Sequence, residues 1–274
     1  MMKYLIYVLL LISSLNAKPL IVATSHPVAE IVREVTGSSA KVISLFEPGK
    51  MPHEHELTPQ DIFTSNSALC VVYSSDFNES WVLDIPTKKI NLSDFIPDNE
   101  KLFRSDSALF DFFWMDPILT KTVAKKLADT LSKMDEEYGA DFIINGDKFG
   151  ERCDFLSKMV DRKLKTTNPK PIFSDLHTLV YFAARYGLGG GRGFYSAHKI
   201  SSDKLRDQFN TELTASGSGL IFYNEQIGDS IPRYLSGLLR VEVFQINVYG
   251  TEENYRYFDI INSNVDIIVE AMKL

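Results

Sequence analysis

YGADFIINGDKFGERCDFLSKMVDRKLK, residues 138–165, reads as one uninterrupted helix. Phe142, Phe149, Leu156, Met159 and Val160 recur at steps of three, four and seven and so share one buried face. At 1.5 Å per residue such a helix is about 40 Å long. That is longer than an ordinary crossover between neighbouring strands needs. A rigid connector between two lobes accounts for the length, and the chain on either side repeats one pattern.

Before the helix, Leu20-Ile21-Val22-Ala23 is a short apolar run without alternation, as in a strand covered on both faces. Pro27 opens a helix with Val28, Ile31, Val32 and Val35 on one stripe, and Gly37 ends it. Val42–Phe46 is the next strand. Thr58-Pro59-Gln60-Asp61 reads as a cap, a first-turn proline and a capping-box acid. Ala68–Tyr73 gives a third strand, followed by a less regular stretch to about residue 110 and a helix from Ile118 to Met134. After the long helix the alternation restarts. It runs through a strand at Pro171–Ser174, a helix from His177, a strand near Phe194 and a helix from Ser202. A strand at Leu220–Tyr223, a helix near Leu235, a strand at Val241–Ile246 and a last helix near Tyr255–Met272 complete it. The expected fold is α/β: two lobes, each with a mainly parallel sheet flanked by helices, joined by one long backbone helix. The expected divisions are residues 18–137, the connecting helix at 138–166, and residues 167–274.

Residues 1–17 read as a secretory signal peptide cleaved near Ala17: Lys3, an apolar run from Tyr4 to Ile12, then small and polar residues. The apolar run is too short to span a bilayer, and no later stretch suits a membrane helix. The expectation is an exported, periplasmic chain without stable membrane insertion. With 29 basic and 36 acidic residues the net charge is -7, which disfavours nucleic acid as a partner. Cys70 and Cys153 lie in a strand and a helix without the spacing of a zinc–cysteine site, and read as small core residues.

The polar residues concentrate where the chemistry should be. Ligands in parallel α/β sheets bind beyond the carboxyl ends of the strands. His26 follows the first strand, His53 and His55 the second, and His177 the strand ending at Ser174; Glu225 and Asn247 follow the last two. Imidazole and carboxylate are donors that zinc and manganese accept. The segment Pro52-His53-Glu54-His55-Glu56-Leu57-Thr58-Pro59 therefore poses a question about metal, although a polar loop before a helix fits the same letters. His26 and His198 read as capping or hydrogen-bonded core histidines. His177 fits either role; at a helix start the dipole disfavours imidazolium and keeps a nitrogen for metal. Gly187-Leu188-Gly189-Gly190-Gly191-Arg192-Gly193 lacks the ending of a phosphate loop and reads as a flexible turn.

Four segments in series carry a resemblance. Residues 52–59 resemble the Pro-His-Asp-Tyr-Glu-Pro-Thr-Pro segment of the substrate-binding proteins of zinc and manganese ABC importers. Trp114-Met115-Asp116-Pro117 resembles that family's His-x-Trp-x-Asp-Pro motif. Ser174-Asp175-Leu176-His177, running on to Tyr186-Gly187-Leu188, is similar to its histidine-led helix, and Phe222-Tyr223-Asn224-Glu225-Gln226 to its Phe-Ala-Glu-Pro-Gln strand end. The resemblance implies a two-lobed fold and a non-enzymatic receptor, with Zn2+ or Mn2+ as transported ligand, an ABC permease as partner, and a monomeric chain. Carried over by position, it implies His53 and His177 as metal ligands, Asn247 where an aspartate is usual, and Phe112 where a histidine is usual. Glu225 and His55 are the substitutes the sequence offers.

A phenyl ring donates nothing to a metal, and an amide oxygen suits a hard cation better than zinc. The resemblance thus implies either a metal receptor with a retuned site or a receptor-like protein whose degenerate site now serves another solute or a surface partner. A zinc hydrolase is disfavoured: neither a His-Glu-x-x-His helix nor a serine-nucleophile elbow occurs.

Overall fold

The computed structural model describes residues 18–52, 55–103, 109–175, 178–189, 192–194, 207, 211, 220–224, 233–234, 236–237 and 241–274. The first lobe carries β1 (Leu20–Ala23), α1 (His26–Thr36), β2 (Lys41–Ser44), α2 (Pro59–Asn66), β3 (Cys70–Tyr73), β4 (Lys89–Asn91) and α3 (Pro117–Ser132). The connecting helix is α4 (Gly139–Lys165). The second lobe carries β5 (Phe173–Asp175), α5 (Val180–Tyr186), β6 (Arg192–Phe194), β7 (Leu220–Asn224), β8 (Glu242–Ile246) and α6 (Tyr257–Ala271).

Each lobe holds a four-stranded sheet, ordered β2-β1-β3-β4 in the first and β6-β5-β7-β8 in the second. Every described strand pair is parallel. β3 and β7 are buried along their whole length, which explains their unalternating apolar sequences. α4 packs along α3 and also touches α1 in one lobe and α6 in the other. Gly146 allows the close approach of α3, since a Cβ there would lie 2.9 Å from the Ala128 Cβ. One hydrophobic core runs through both lobes, from Ile21 and Val72 past Phe149 to Phe222 and Ile268. A smaller cluster of Val22, Val71, Tyr73, Trp81, Val82 and Ile85 sits apart from it.

Local sequence explains most boundaries. Thr58 and Asp61 form the expected capping box on α2, with Pro59 in its first turn. Asp116 caps α3 through Ile118 N–H at 2.9 Å and Leu119 N–H at 3.3 Å. Arg162, Lys163 and Lys165 place positive charge at the carboxyl end of α4. Both cysteines are free and buried, and burial raises the Cys70 thiol to about 12.

Four boundaries differ from the sequence reading. β2 stops at Ser44: Leu45 still donates its N–H to Ala23 O at 2.9 Å, but the chain bends there and the Leu45 and Phe46 side chains pack on the Trp81 cluster. β4 lies within the stretch expected to be irregular; with only Ile90 buried, its three residues give little signal. The helix expected from His177 begins at Val180, because the Ser174 hydroxyl accepts the Leu179 N–H at 3.2 Å and shapes a turn first. The glycine run is not all turn: Gly187 ends α5 at φ 69°, and Arg192-Gly193 belong to β6. Residues 1–17, the helix expected from Ser202, and Leu235 lie outside the described residues.

Candidate metal centre

In both sheets the strand order reverses beside the first strand of the lobe, between β1 and β3 and between β5 and β7. Ligand crevices of parallel sheets open at such points, beyond the carboxyl strand ends. From the first lobe these ends lead into Thr24-Ser25-His26 and Ser74-Ser75; from the second, β8 leads into Asn247-Val248-Tyr249. Bonds between the lobes tie the loops together. The Trp114 indole donates to Val248 O at 3.0 Å, Tyr257 donates to Trp114 O at 3.1 Å, and Gly49 N–H donates to Tyr249 O at 3.1 Å.

Of the residues singled out by sequence, His53, His177, His198 and Glu225 lie outside the described residues. Pro52, preceding His53, is buried and accepts the Trp81 indole N–H at 2.9 Å. His55 is half-buried. Its Nε2 meets Asp61 Oδ2 at 2.8 Å, and its ring stands edge-on to Phe46 and Trp81 with centroids 4.7 and 4.8 Å away. A histidine anchored by a carboxylate through one nitrogen is the arrangement metal-binding histidines usually show; here it also locks the loop onto the α2 cap. Burial opposes ionisation of Asp61, but hydrogen bonds from Thr58 and His55 outweigh it and hold the carboxyl below its ordinary value.

Asn247 shapes the turn after β8. Its Oδ1 accepts the Tyr249 N–H at 3.1 Å, its N–H donates to Asn264 Oδ1 at 2.9 Å, and its carbonyl accepts from Asn264 Nδ2 at 2.8 Å. The turn takes one of the two lone pairs of that side-chain oxygen. His26 is buried and donates from Nε2 to Tyr255 O at 2.6 Å, the hydrogen-bonded core histidine expected. Burial pushes its pKa below the ordinary value, against the Tyr255 carbonyl and Glu30.

Phe112 is buried, edge-on to Trp114 and Tyr249 at 5.4 and 5.9 Å between centroids. Among the described residues it alone of the non-glycines has a positive φ, 64°. Sequence reasoning missed two buried carboxylates, Asp111 and Glu79. Asp111 Oδ1 accepts the Ser75 hydroxyl at 2.7 Å. Glu79 Oε2 accepts both the N–H and the hydroxyl of Ser74 at 2.6 Å. Burial raises the Glu79 pKa. It also raises Tyr249 well above its ordinary value, helped by the charges of Asp111 and Glu79. Neither carboxylate stands in a recognisable motif; only the fold brings Asp111 to the end of β3. Among the described residues no three His, Cys, Asp or Glu side chains converge on a metal position, and no helix is long and apolar enough to cross a membrane.

The family model of the periplasmic component A of the zinc-uptake complex (ZnuA) matches residues 21–271. The chain belongs to this family. That family is one of zinc-uptake components and not of enzymes. A putative metal-binding protein of Thermotoga maritima is 24% identical over 279 residues, spanning 100% of both chains. The zinc-binding protein AdcA of Streptococcus pyogenes serotype M1 is 26% identical over 200 residues, 63% of this chain but 39% of that protein's length. Among solved structures, the periplasmic zinc-binding protein TroA from Treponema pallidum superposes with a TM-score of 0.78 at 19% identity, covering 94% of this chain and 100% of that one. The laminin-binding protein Lmb of Streptococcus agalactiae does so with a TM-score of 0.80 at 16% identity, covering 93% and 99%. These likenesses establish the two-lobed fold of the ZnuA-family chain.

Proposed function

We propose that this ZnuA-family chain is the periplasmic receptor that captures zinc or manganese between its lobes and delivers the ion to an ABC permease. Residues 1–17 direct export and are removed near Ala17, and the receptor works as a monomer. Residues 18–137 and 167–274 form the two lobes, with residues 138–166 between them. His53, His177 and Asn247 hold the ion, with Glu225 and His55 as the further donors. The observation that carries the reading is the crevice itself, where loops from the carboxyl ends of both sheets meet in a chain whose residues 21–271 fit the zinc-uptake family. Because α4 and one core run through both lobes, closure on the ion is a small movement.

Calorimetric titration of the purified protein lacking residues 1–17 with zinc chloride and with manganese chloride tests this. One ion per chain is expected, with stabilisation of about 2.7 kcal/mol when free metal stands a hundredfold above Kd. Absence of both heat and thermal shift with either ion would overturn it. The burial of Phe112 among Trp114 and Tyr249 favours a second reading, in which a degenerate site takes another solute or a surface partner. That same negative titration is what the second reading expects.

A further inference from the structure

A cavity of about 830 Å³ opens where α1, the chain leaving β2, α4 and the residues just before α6 meet. Its walls therefore come from both lobes and from the helix that connects them. Cavities of this size at the junction of two lobes are common seats of small molecules. Neither His55 nor Asn247, the two described candidates for metal, lines it. The buried ring of Phe149 and the ring of Tyr255 give it an apolar part. His26 holds the second lobe's contribution in place, its Nε2 donating to Tyr255 O at 2.6 Å.

The charges of the lining do not cancel. Four permanent cations face the cavity: Arg33 on α1, Lys148 and Arg152 on α4, and Arg256 before α6. Two of them are paired with acids of α1. Arg33 Nη1 donates to Glu30 Oε1 at 2.5 Å, and Arg152 Nη1 donates to Glu34 Oε2 at 2.7 Å. Each of these bonds uses one terminal nitrogen, and a guanidinium carries five N–H donors. Lys148 and Arg256 have no carboxylate within ion-pair distance among the described residues. Arg256 instead meets the Tyr255 ring, 5.7 Å from its centroid. The third carboxylate of the lining, Glu47, is exposed. Two spare cations thus stand against one spare acid, and a concave surface with such a surplus draws anions.

We propose that this cavity binds a small organic anion, its carboxylate or phosphate oxygens taken by Lys148 and Arg256. The Lys148 ammonium offers a point charge, whereas the Arg256 guanidinium is a planar fork matched to either oxyanion. The free N–H groups of Arg33 and Arg152 supply further donors. The inference stands apart from the metal-receptor reading, since it uses none of the proposed ligands. Calorimetric titration of the metal-free protein with sodium citrate and with inorganic phosphate tests it, in about 0.15 M sodium chloride to screen exposed charges. One-site heat with citrate identifies a carboxylate site, and heat with phosphate a phosphate site. Lys148 and Arg256 are both exposed, so the double variant Lys148→Gln, Arg256→Gln should keep the wild-type melting temperature without anion. It should bind about tenfold more weakly or worse, as expected for loss of charge-assisted hydrogen bonds. Heat with neither anion at millimolar concentration overturns the proposal. So does undiminished affinity in the double variant, which would place the anion elsewhere. Should the double variant not fold, undiminished affinity in Lys148→Gln alone overturns it. Anion binding by a protein that takes up neither zinc nor manganese would leave this site standing and overturn the receptor reading alone.

Discussion

The guanidinium of Arg185 joins the two lobes at Asp116: its Nε donates to Asp116 Oδ2 at 2.8 Å, while Nη2 donates to Glu100 Oε2 at 2.6 Å. Arg185 stands on α5, whereas Asp116 caps α3. The Asp116 side chain is 4% exposed and that of Arg185 29%. Removing the arginine therefore strands a buried carboxylate. Breaking a buried pair from one side costs roughly 3–5 kcal/mol, less where water reaches one partner. Arg185→Ala is expected to lose about 2 kcal/mol in urea denaturation. Asp116→Asn keeps the cap while dropping the charge, and should lose about half as much. A wild-type midpoint in Arg185→Ala would show that the pair does not hold the lobes together.

Phe112 combines a buried ring with left-handed backbone, so two substitutions separate packing from strain. Phe112→Ala removes the contacts with Trp114 and Tyr249 and should cost about 3 kcal/mol. Glycine is ordinarily worse than alanine by roughly 0.5–1 kcal/mol, but the left-handed conformation costs a Cβ-bearing residue roughly 1–2 kcal/mol. Phe112→Gly is therefore expected to be at least as stable as Phe112→Ala. Calorimetric melting of the two variants decides it, and a clearly less stable glycine variant would mean that the backbone relaxes once the ring is gone.

What could be read in advance follows from how locally each feature is encoded. β1 at Leu20–Ala23 and the capping box at Thr58–Asp61 were legible because each is written within a few adjacent residues. The 27-residue α4 was legible because its apolar face repeats over many turns. β4 was not, since Lys89–Asn91 is too short to show a period. Nor was the length of β2: Leu45 and Phe46 continue its apolar pattern but are drawn to Trp81, far along the chain. The candidate residues divide the same way. His55 announced itself in a histidine pair, and its bond to Asp61 spans six positions. Asp111 depends on Ser75, 36 positions earlier, and the packing of its neighbour Phe112 on Tyr249 depends on both lobes.

Asp61 links the loop at His55 to acid stability. Its carboxyl is held below the ordinary value by Thr58 and His55, against the opposing effect of burial. A depressed carboxyl contributes stability above its unfolded pKa, near 3.8. That stability is lost as pH falls through the lower, folded value. Asp61→Asn should remove this part of the acid-melting profile and cost about 1 kcal/mol at neutral pH by weakening the cap. Melting temperatures between pH 6 and 3 report it. A variant whose melting temperature falls as steeply as the wild type below pH 4 would assign acid sensitivity to other carboxylates.

His26 predicts a dependence at milder acidity. Burial lowers its pKa below the unfolded value of 6.5, and the Tyr255 carbonyl and Glu30 offset this only in part. Between the folded and unfolded values the unfolded chain holds the extra proton, so stability rises with pH across that window. The contribution is complete above about pH 6.5 and declines as pH falls through the folded value. His26→Gln keeps a donor for the 2.6 Å bond to Tyr255 O but cannot take up the proton. The wild type should lose more melting temperature than His26→Gln between pH 7 and 5, measured without metal. Parallel profiles would mean that protonated His26 is accommodated through Glu30, whose carboxylate lies 4.0 Å away.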